Sequence, residues 1–277
     1  MKKITFLLLL TLASTLTFAQ KKEKVKGSKL VTTERKKIGS FDQIEAEDNL
    51  EIFLVKGDKS ALEVETDDNL HSAIDYKLYG TVLRLNTNKE ISSFKKLEVR
   101  ITYTDSLKLI SSKHETKINA PSGLTLSNIT VKTSDYSKAY LNVDSPNFSL
   151  IANDKSKVEL NLKSDDASIE MSKNSELKAL LTVNKLKIDL YQKAEATIEG
   201  TTSDMKLRLD NNATYNGQKL TSKSLNLTTE SYTKCAVNTN GNLSITASGK
   251  SEVDIYGDPK IEIKKFGDDA ILRKKSK

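Results

Sequence analysis

Apolar residues along most of this chain come in pairs spaced two apart, and the pairs recur at a fixed interval. Ser137, Ser156, Ser175, Ala194 and Ala213 follow one another at steps of nineteen. Thr233, Ser251 and Asp269 extend the series at 20, 18 and 18, and Glu115 precedes it at 22. Eight and six residues before these anchors lie pairs such as Phe148/Leu150, Leu186/Ile188 and Ile261/Ile263, with Ile129/Val131 and Leu107/Leu109 at the front. Two and four residues after them lie Val158/Leu160, Ala196/Ile198, Tyr215/Gly217 and Val253/Ile255. A step of two places both members of a pair on one face of a strand. The segments between, such as Asn153-Asp154-Lys155 and Ser248-Gly249-Lys250, are residues that accept the backbone of a turn.

No apolar recurrence at three and four supports a helix. A meander of hairpins would have strands of this length, but nothing would hold its units in one register. A solenoid must keep register, because each coil stacks on the last. The pattern therefore predicts an all-β fold: a right-handed parallel β-helix of about nine coils, with a strand-rich N-terminal cap. At roughly 3.3 Å per residue a coil runs about 60 Å, and about nine layers make a rod near 40 Å long. Leu, Ile, Val and Ala line the inside. Outward positions form ladders, with Glu170, Asp189 and Arg208 in one row and Glu159 and Lys178 in another. Each such exposed pair contributes about 0.2–1 kcal/mol.

Residues 38–106 fall outside this register and read as the cap. Leu50–Val55 is a strand, with Ala61–Glu65 returning as its hairpin partner after a turn at 56–59. Asp68–Ile74 forms a helical turn capped by Asp67 or Asp68, and Val82–Leu85 and Leu97–Tyr103 are further strands. Residues 107–273 are the solenoid, 20–37 a basic flexible linker and 274–277 a basic tail.

The N-terminus adds a compartment. Lys2 and Lys3 precede an apolar run from Ile4 to Leu12, and Thr17-Phe18-Ala19 offers a cleavage site before Gln20. Residues 1–19 thus read as a secretory signal peptide. With no cysteine after the apolar run, the chain does not read as a lipoprotein. The expected location is the periplasm, the outer surface or the medium. No later segment is long and apolar enough for a transmembrane helix.

The net charge of +7 sits in the ends. Residues 21–37 hold eight Lys/Arg against Glu23 and Glu34, and 264–277 hold six against Asp268 and Asp269. The body between is slightly acidic, which argues against nucleic acid as a partner. The sole cysteine, Cys235, reads as a small buried apolar residue.

Three blocks carry a family resemblance. Ile38-Gly39-Ser40-Phe41-Asp42-Gln43-Ile44 is followed by Asn49-Leu50-Glu51-Ile52, and Asn69-Leu70 by Gly80-Thr81-Val82-Leu83-Arg84-Leu85. Gly257-Asp258-Pro259 and Phe266-Gly267-Asp268 close the series. In this order the blocks resemble the auto-transporter adhesin head GIN domain family from about residue 38 to 273. The resemblance implies a β-helical exported protein, called an adhesin by inference, with no catalytic residues to carry over. The family's Gly-rich corners are here mostly Ser, Asn and Lys.

Function is then expected in a binding module of the cell envelope or exterior, recognising a glycan or an envelope protein along an outer face. The candidate residues for that surface are Tyr136, Tyr191, Tyr232, Asp189 and Arg208. Tyr136 and Tyr232 hold equivalent corner positions five coils apart and share no platform. A carbohydrate-active enzyme is the alternative by fold analogy. It needs paired carboxylates in a groove. Asp165-Asp166 and the offset Asp189 and Asp210 are the nearest approach, and each reads more simply as a corner or ladder residue. His71 and His114, the only histidines, read as surface residues, and no metal, cofactor or phosphate motif is present. A structural envelope component is the third possibility. The lysines of 274–277 would discourage edge pairing of the last coil, which favours a monomer.

Overall fold

A computed structural model describes residues 22–276. The signal-peptide reading of 1–19 lies outside the described residues. From residue 107 onward the chain winds through about nine parallel coils. Each coil is a strand, a tight corner and a second strand. From Lys157 the second strand of one coil runs on into the first strand of the next, giving long bent strands such as Lys157–Met171, Glu176–Leu190 and Glu195–Leu209.

The core consists of like positions stacked along the rod. Leu150, Ile169, Ile188, Leu207, Leu227 and Ile245 pair in succession, and none is more than 2% exposed. Each full burial of this kind contributes about 1.5–3 kcal/mol.

The corners explain the anchors. Ser134–Ser137, Asn153–Ser156, Ser172–Ser175 and Tyr191–Ala194 each close by a backbone bond from the last N–H to the first carbonyl, at 3.0–3.2 Å. Both central residues have positive φ: Asp135 51° and Tyr136 63°, Asp154 49° and Lys155 60°, Gln192 52° and Lys193 63°. This is the mirror-image turn that normally selects Asn and Gly. The twist aims one corner N–H along the rod, so Tyr136 donates to Asp154 O at 3.1 Å, Lys155 to Lys173 O at 3.0 Å and Lys193 to Asn211 O at 2.9 Å. The corner backbone is thereby hydrogen-bonded coil to coil, which offsets the left-handed conformation. The anchor itself points inward where the corner leaves little room, and Ser137, Ser156, Ser175 and Ala194 are fully buried.

The structure moves the outermost anchors by one residue. Lys117 pairs with Lys138, so Thr116, fully buried, holds the anchor slot expected of Glu115. Ile110, paired with Val131, replaces Leu109 as the inward residue. At the far end Glu252 pairs with Ile271, which puts Ala270 rather than Asp269 in line with Ser251. A register shift after Ile263 absorbs the difference. The 20-residue step has the same origin: an extra residue bulges out between Asn216 and Leu220.

The cap departs further from expectation. Gln43–Ala46 and Glu51–Lys56 form a coil in register with the solenoid, Gln43 against Leu109 and Glu51 against Lys117, around a corner at Asp48-Asn49. The chain then doubles back. Val82–Thr87 and Leu97–Tyr103 stack on the other side of that coil, again in parallel. Ala61–Asp67 is therefore not the hairpin partner of Glu51–Lys56. It pairs antiparallel with Leu97–Tyr103 and, across its other edge, with Val31–Lys36. Antiparallel strands end the stacking of coils. Residues 20–37 are likewise not a flexible linker where they are described. Lys24–Lys26 pairs with Glu90–Ser92, and Val31–Lys36 is the charged outer strand of the cap.

Asp67 ties these pieces together. It sits at the N-cap of the 3-10 turn Asp68–Ala73, as expected, but its side chain makes no capping bond. Instead its carboxylate accepts N–H bonds from Lys29 at 2.8 Å, Lys95 at 3.0 Å and Lys96 at 3.2 Å. Burial works to raise its pKa, but the backbone donors outweigh burial and hold it below the ordinary carboxylate value.

Candidate functional site

The outward candidates fall in two places. Tyr136 and Tyr232 stand exposed on the corner ridge, each under a lysine of the next coil: Lys155 Nζ lies 4.9 Å from the Tyr136 ring centre and Lys250 Nζ 5.4 Å from that of Tyr232. They remain far apart. Tyr191, at the start of its corner, donates its hydroxyl to Glu170 Oε1 at 2.7 Å, and that bond with partial burial raises the phenol's pKa. Glu170, Asp189 and Arg208 do form one row on adjacent coils. They do not pair along it: Asp189 meets Lys187 of its own strand at 2.7 Å, and Arg208 turns to Glu230 at 3.6 Å. The structure thus engages these groups with neighbours and does not gather them into one site.

The catalytic alternative fares similarly. Asp165 and Asp166 diverge around a bend onto different grooves. Asp210 accepts bonds from Asn211 N and Ser231 Oγ at its corner, both 2.7 Å. His114 is an exposed corner residue as expected. His71 is not on the surface: its side chain is only 9% exposed beneath Val31–Lys36, with Nε2 2.9 Å from Thr32 Oγ1. Among the described residues no cluster of His, Cys, Asp or Glu is arranged to hold a metal ion. Cys235 is buried, and burial pushes its thiol far above the ordinary range.

Two of the grooves along the rod lie between outward rows on the faces beside the corner. The first, about 750 Å³, lies on the face preceding the corner, with Phe148, Leu186 and Met205 as floor and mainly Asn, Ser, Lys and Asp as walls. The second, about 640 Å³, lies on the face after the corner. One wall of this second groove is the row Phe53, Asn119, Tyr140, Glu159, Lys178 and Thr197, each paired with the next on adjacent coils. The other wall carries Asn142, Asn161, Leu180 and Glu199. Its floor includes Ala179, which at 8% is the least covered residue of the apolar core.

Both aromatic rings of the second groove offer surface, Phe53 half-buried and Tyr140 40% exposed. They stand two layers apart, about 10 Å. Between them Asn119 Nδ2 donates to Ile52 O at 3.3 Å, and across the groove Asn142 Nδ2 donates to Pro121 O at 3.0 Å. The amide oxygens are left available as acceptors. Rows of apolar rings flanked by fixed amides and carboxylates suit an extended, hydroxyl-rich ligand.

Comparison with known proteins places the fold. The model of the family described as "Putative auto-transporter adhesin, head GIN domain" matches residues 40–259. The chain belongs to that family. Among solved structures, this head GIN domain resembles a putative adhesin of Parabacteroides distasonis at 16% identity and a TM-score of 0.69, covering 90% of this chain and 99% of the other. A putative adhesin of Parabacteroides merdae follows at 17% and 0.63, covering 92% and 98%. A third, a putative lipid binding protein of Parabacteroides distasonis, stands at 14% and 0.59, covering 91% and 99%. At these identities the likeness establishes the fold of the head GIN domain. No curated protein matches the sequence. Among the described residues of the domain, no helix is long and apolar enough to cross a membrane.

The second groove is not legible in the sequence. Tyr140 was visible as the outward neighbour of Ala139 and Leu141, but Phe53 lies in a coil whose place in the stack only the structure reveals.

Proposed function

We propose that this head GIN domain is an exported, adhesin-like binding module that holds an extended glycan in the groove of Phe53 and Tyr140. The observation that carries the reading is the pair of partly open aromatic rings on one row, two coils apart, with one fixed amide, Asn119, between them and another, Asn142, across the groove. A sugar ring presents C–H faces to an aromatic side chain and hydroxyls to amides and carboxylates, so this lining meets both halves of its chemistry. The channel crosses several coils and suits a polymer rather than a compact metabolite. The signal-peptide pattern of residues 1–19 and the adhesin family support export. Glu159 and Glu199 stand on opposite walls but two coils apart, and Lys219 Nζ holds Glu199 at 3.0 Å, so binding without turnover fits the groove best.

A glycan array of envelope and host polysaccharides tests the proposal. The expected result is binding to an extended polysaccharide that falls at least tenfold in Tyr140→Ala and is unchanged in the corner variant Tyr232→Ala. Absence of binding above background, or equal loss in both variants, would refute it.

A further inference from the structure

The two ends of the rod are finished differently. At the N-terminal end the outermost coil is covered: Leu83, Leu85, Val99 and Ile101 are at most 1% exposed. Beyond them the edge strand Val31–Lys36 is polar and charged, which discourages further pairing. At the other end the last coil has no cover among the described residues. Leu243, Ile245 and Ala247 are at most 1% exposed, whereas Ile261, Ile263 and Phe266, which take the same inward slots one coil later, are 42%, 53% and 47% exposed. Among the described residues the strand Lys260–Phe266 pairs only with Lys234–Ala247, and nothing lies against its other edge. The described residues of the basic tail do not close the end. Ile271–Lys274 is itself the last strand, and Lys275 N continues its ladder to Ile255 O at 2.9 Å.

We infer that this end is the interface of a two-fold dimer, in which Lys260–Phe266 pairs antiparallel with its mate from a second copy of the chain. The strand's own sequence supports a second copy as the occupant. Lys260-Ile261-Glu262-Ile263-Lys264 alternates charge with apolar residues. Antiparallel pairing centred on Ile261 sets Glu262 opposite Lys260 of the mate, and pairing centred on Ile263 sets it opposite Lys264. Either register brings isoleucine onto isoleucine and makes two opposite-charge pairs by symmetry, while the intervening register would oppose Glu262 to itself. The covered N-terminal end rules out head-to-tail stacking, so the contact closes at two copies rather than growing into a filament. Such a dimer would place two glycan grooves on one continuous rod, although the pairing does not depend on what they bind.

Sedimentation analysis of the chain, as processed by the cell that exports it, tests this over a hundredfold range of concentration. The expected species is a dimer. Ile263→Asn should abolish it while leaving the monomer folded, since the side chain is 53% exposed there. Glu262→Lys should weaken it at least tenfold, and adding Lys260→Glu and Lys264→Glu to that variant should restore it. A monomer at every concentration would overturn the inference, as would a dimer indifferent to Ile263→Asn and Glu262→Lys. If the monomer instead captures a different molecule at this strand, the face belongs to another partner and the two-fold dimer is wrong.

Discussion

Inside the solenoid, Tyr215 takes the slot that Ala196 fills one coil earlier and Cys235 one coil later. A tyrosine fits there because Gly217, two residues on and inward as well, has no side chain. A Cβ on Gly217 would overlap the Tyr215 ring. Gly217→Ala should therefore cost about 1–3 kcal/mol through overpacking, read as a lower urea midpoint. The Tyr215 hydroxyl is buried with no hydrogen-bond partner among the described residues, and burial drives its pKa well up. Tyr215→Phe should accordingly hold or raise the midpoint. Asp67 poses the opposite case, a buried carboxylate that is satisfied. Its pKa is depressed in the folded state, so its contribution is fully present above its unfolded value near 3.9 and is lost as pH falls through the folded value. The difference in urea midpoint between wild type and Asp67→Asn should be largest near neutral pH and shrink on acidification. A gap that widens in acid would reverse the assignment.

At the scale of the element, the corner and its paired left-handed residues form the repeating device. Non-glycine residues there carry a backbone cost of about 1 kcal/mol each. Lys193, φ 63°, is a clean place to measure it, because its N–H is kept by any replacement that is not proline. Lys193→Gly should stabilise the fold by up to about 1 kcal/mol, less the added freedom of glycine in the unfolded chain. Lys193→Val should destabilise it by more, both read from denaturant midpoints. The same corners show why much of the fold was legible. Ser137 through Ala213 must be small because they point into a tight bend, so their spacing reports the coil directly. Glu115 and Asp269 misled by one residue because chain irregularities near each end shift the count while the backbone pairing continues. The strands Lys24–Lys26 and Val31–Lys36 were hidden for another reason: they are exposed and highly charged, and their partners lie far along the chain. Composition there looks like a solvated tail until the pairing is seen.

At the scale of the whole molecule, the order of coils in space differs from their order in sequence. The coil of Gln43–Lys56 is laid down first, the end coil of Val82–Tyr103 is placed behind it, and growth then proceeds in the other direction. That reversal closes one end of the rod and brings Phe53 onto the row of Tyr140. The groove was illegible for this reason, and because a period of two identifies which residues face outward without revealing where that surface is concave. Asp189, Arg208 and the corner tyrosines were conspicuous as residue types, yet each is already engaged by a neighbour. The groove residues are modest individually and matter through alignment. The most direct test is calorimetric titration of the glycan selected on the array against wild type, Phe53→Ala, Tyr140→Ala and the double variant. Each single change should weaken binding at least tenfold and the double should abolish it, with every variant still folded at the temperature of the titration. Wild-type affinity in the double variant would show that this groove is not the binding site.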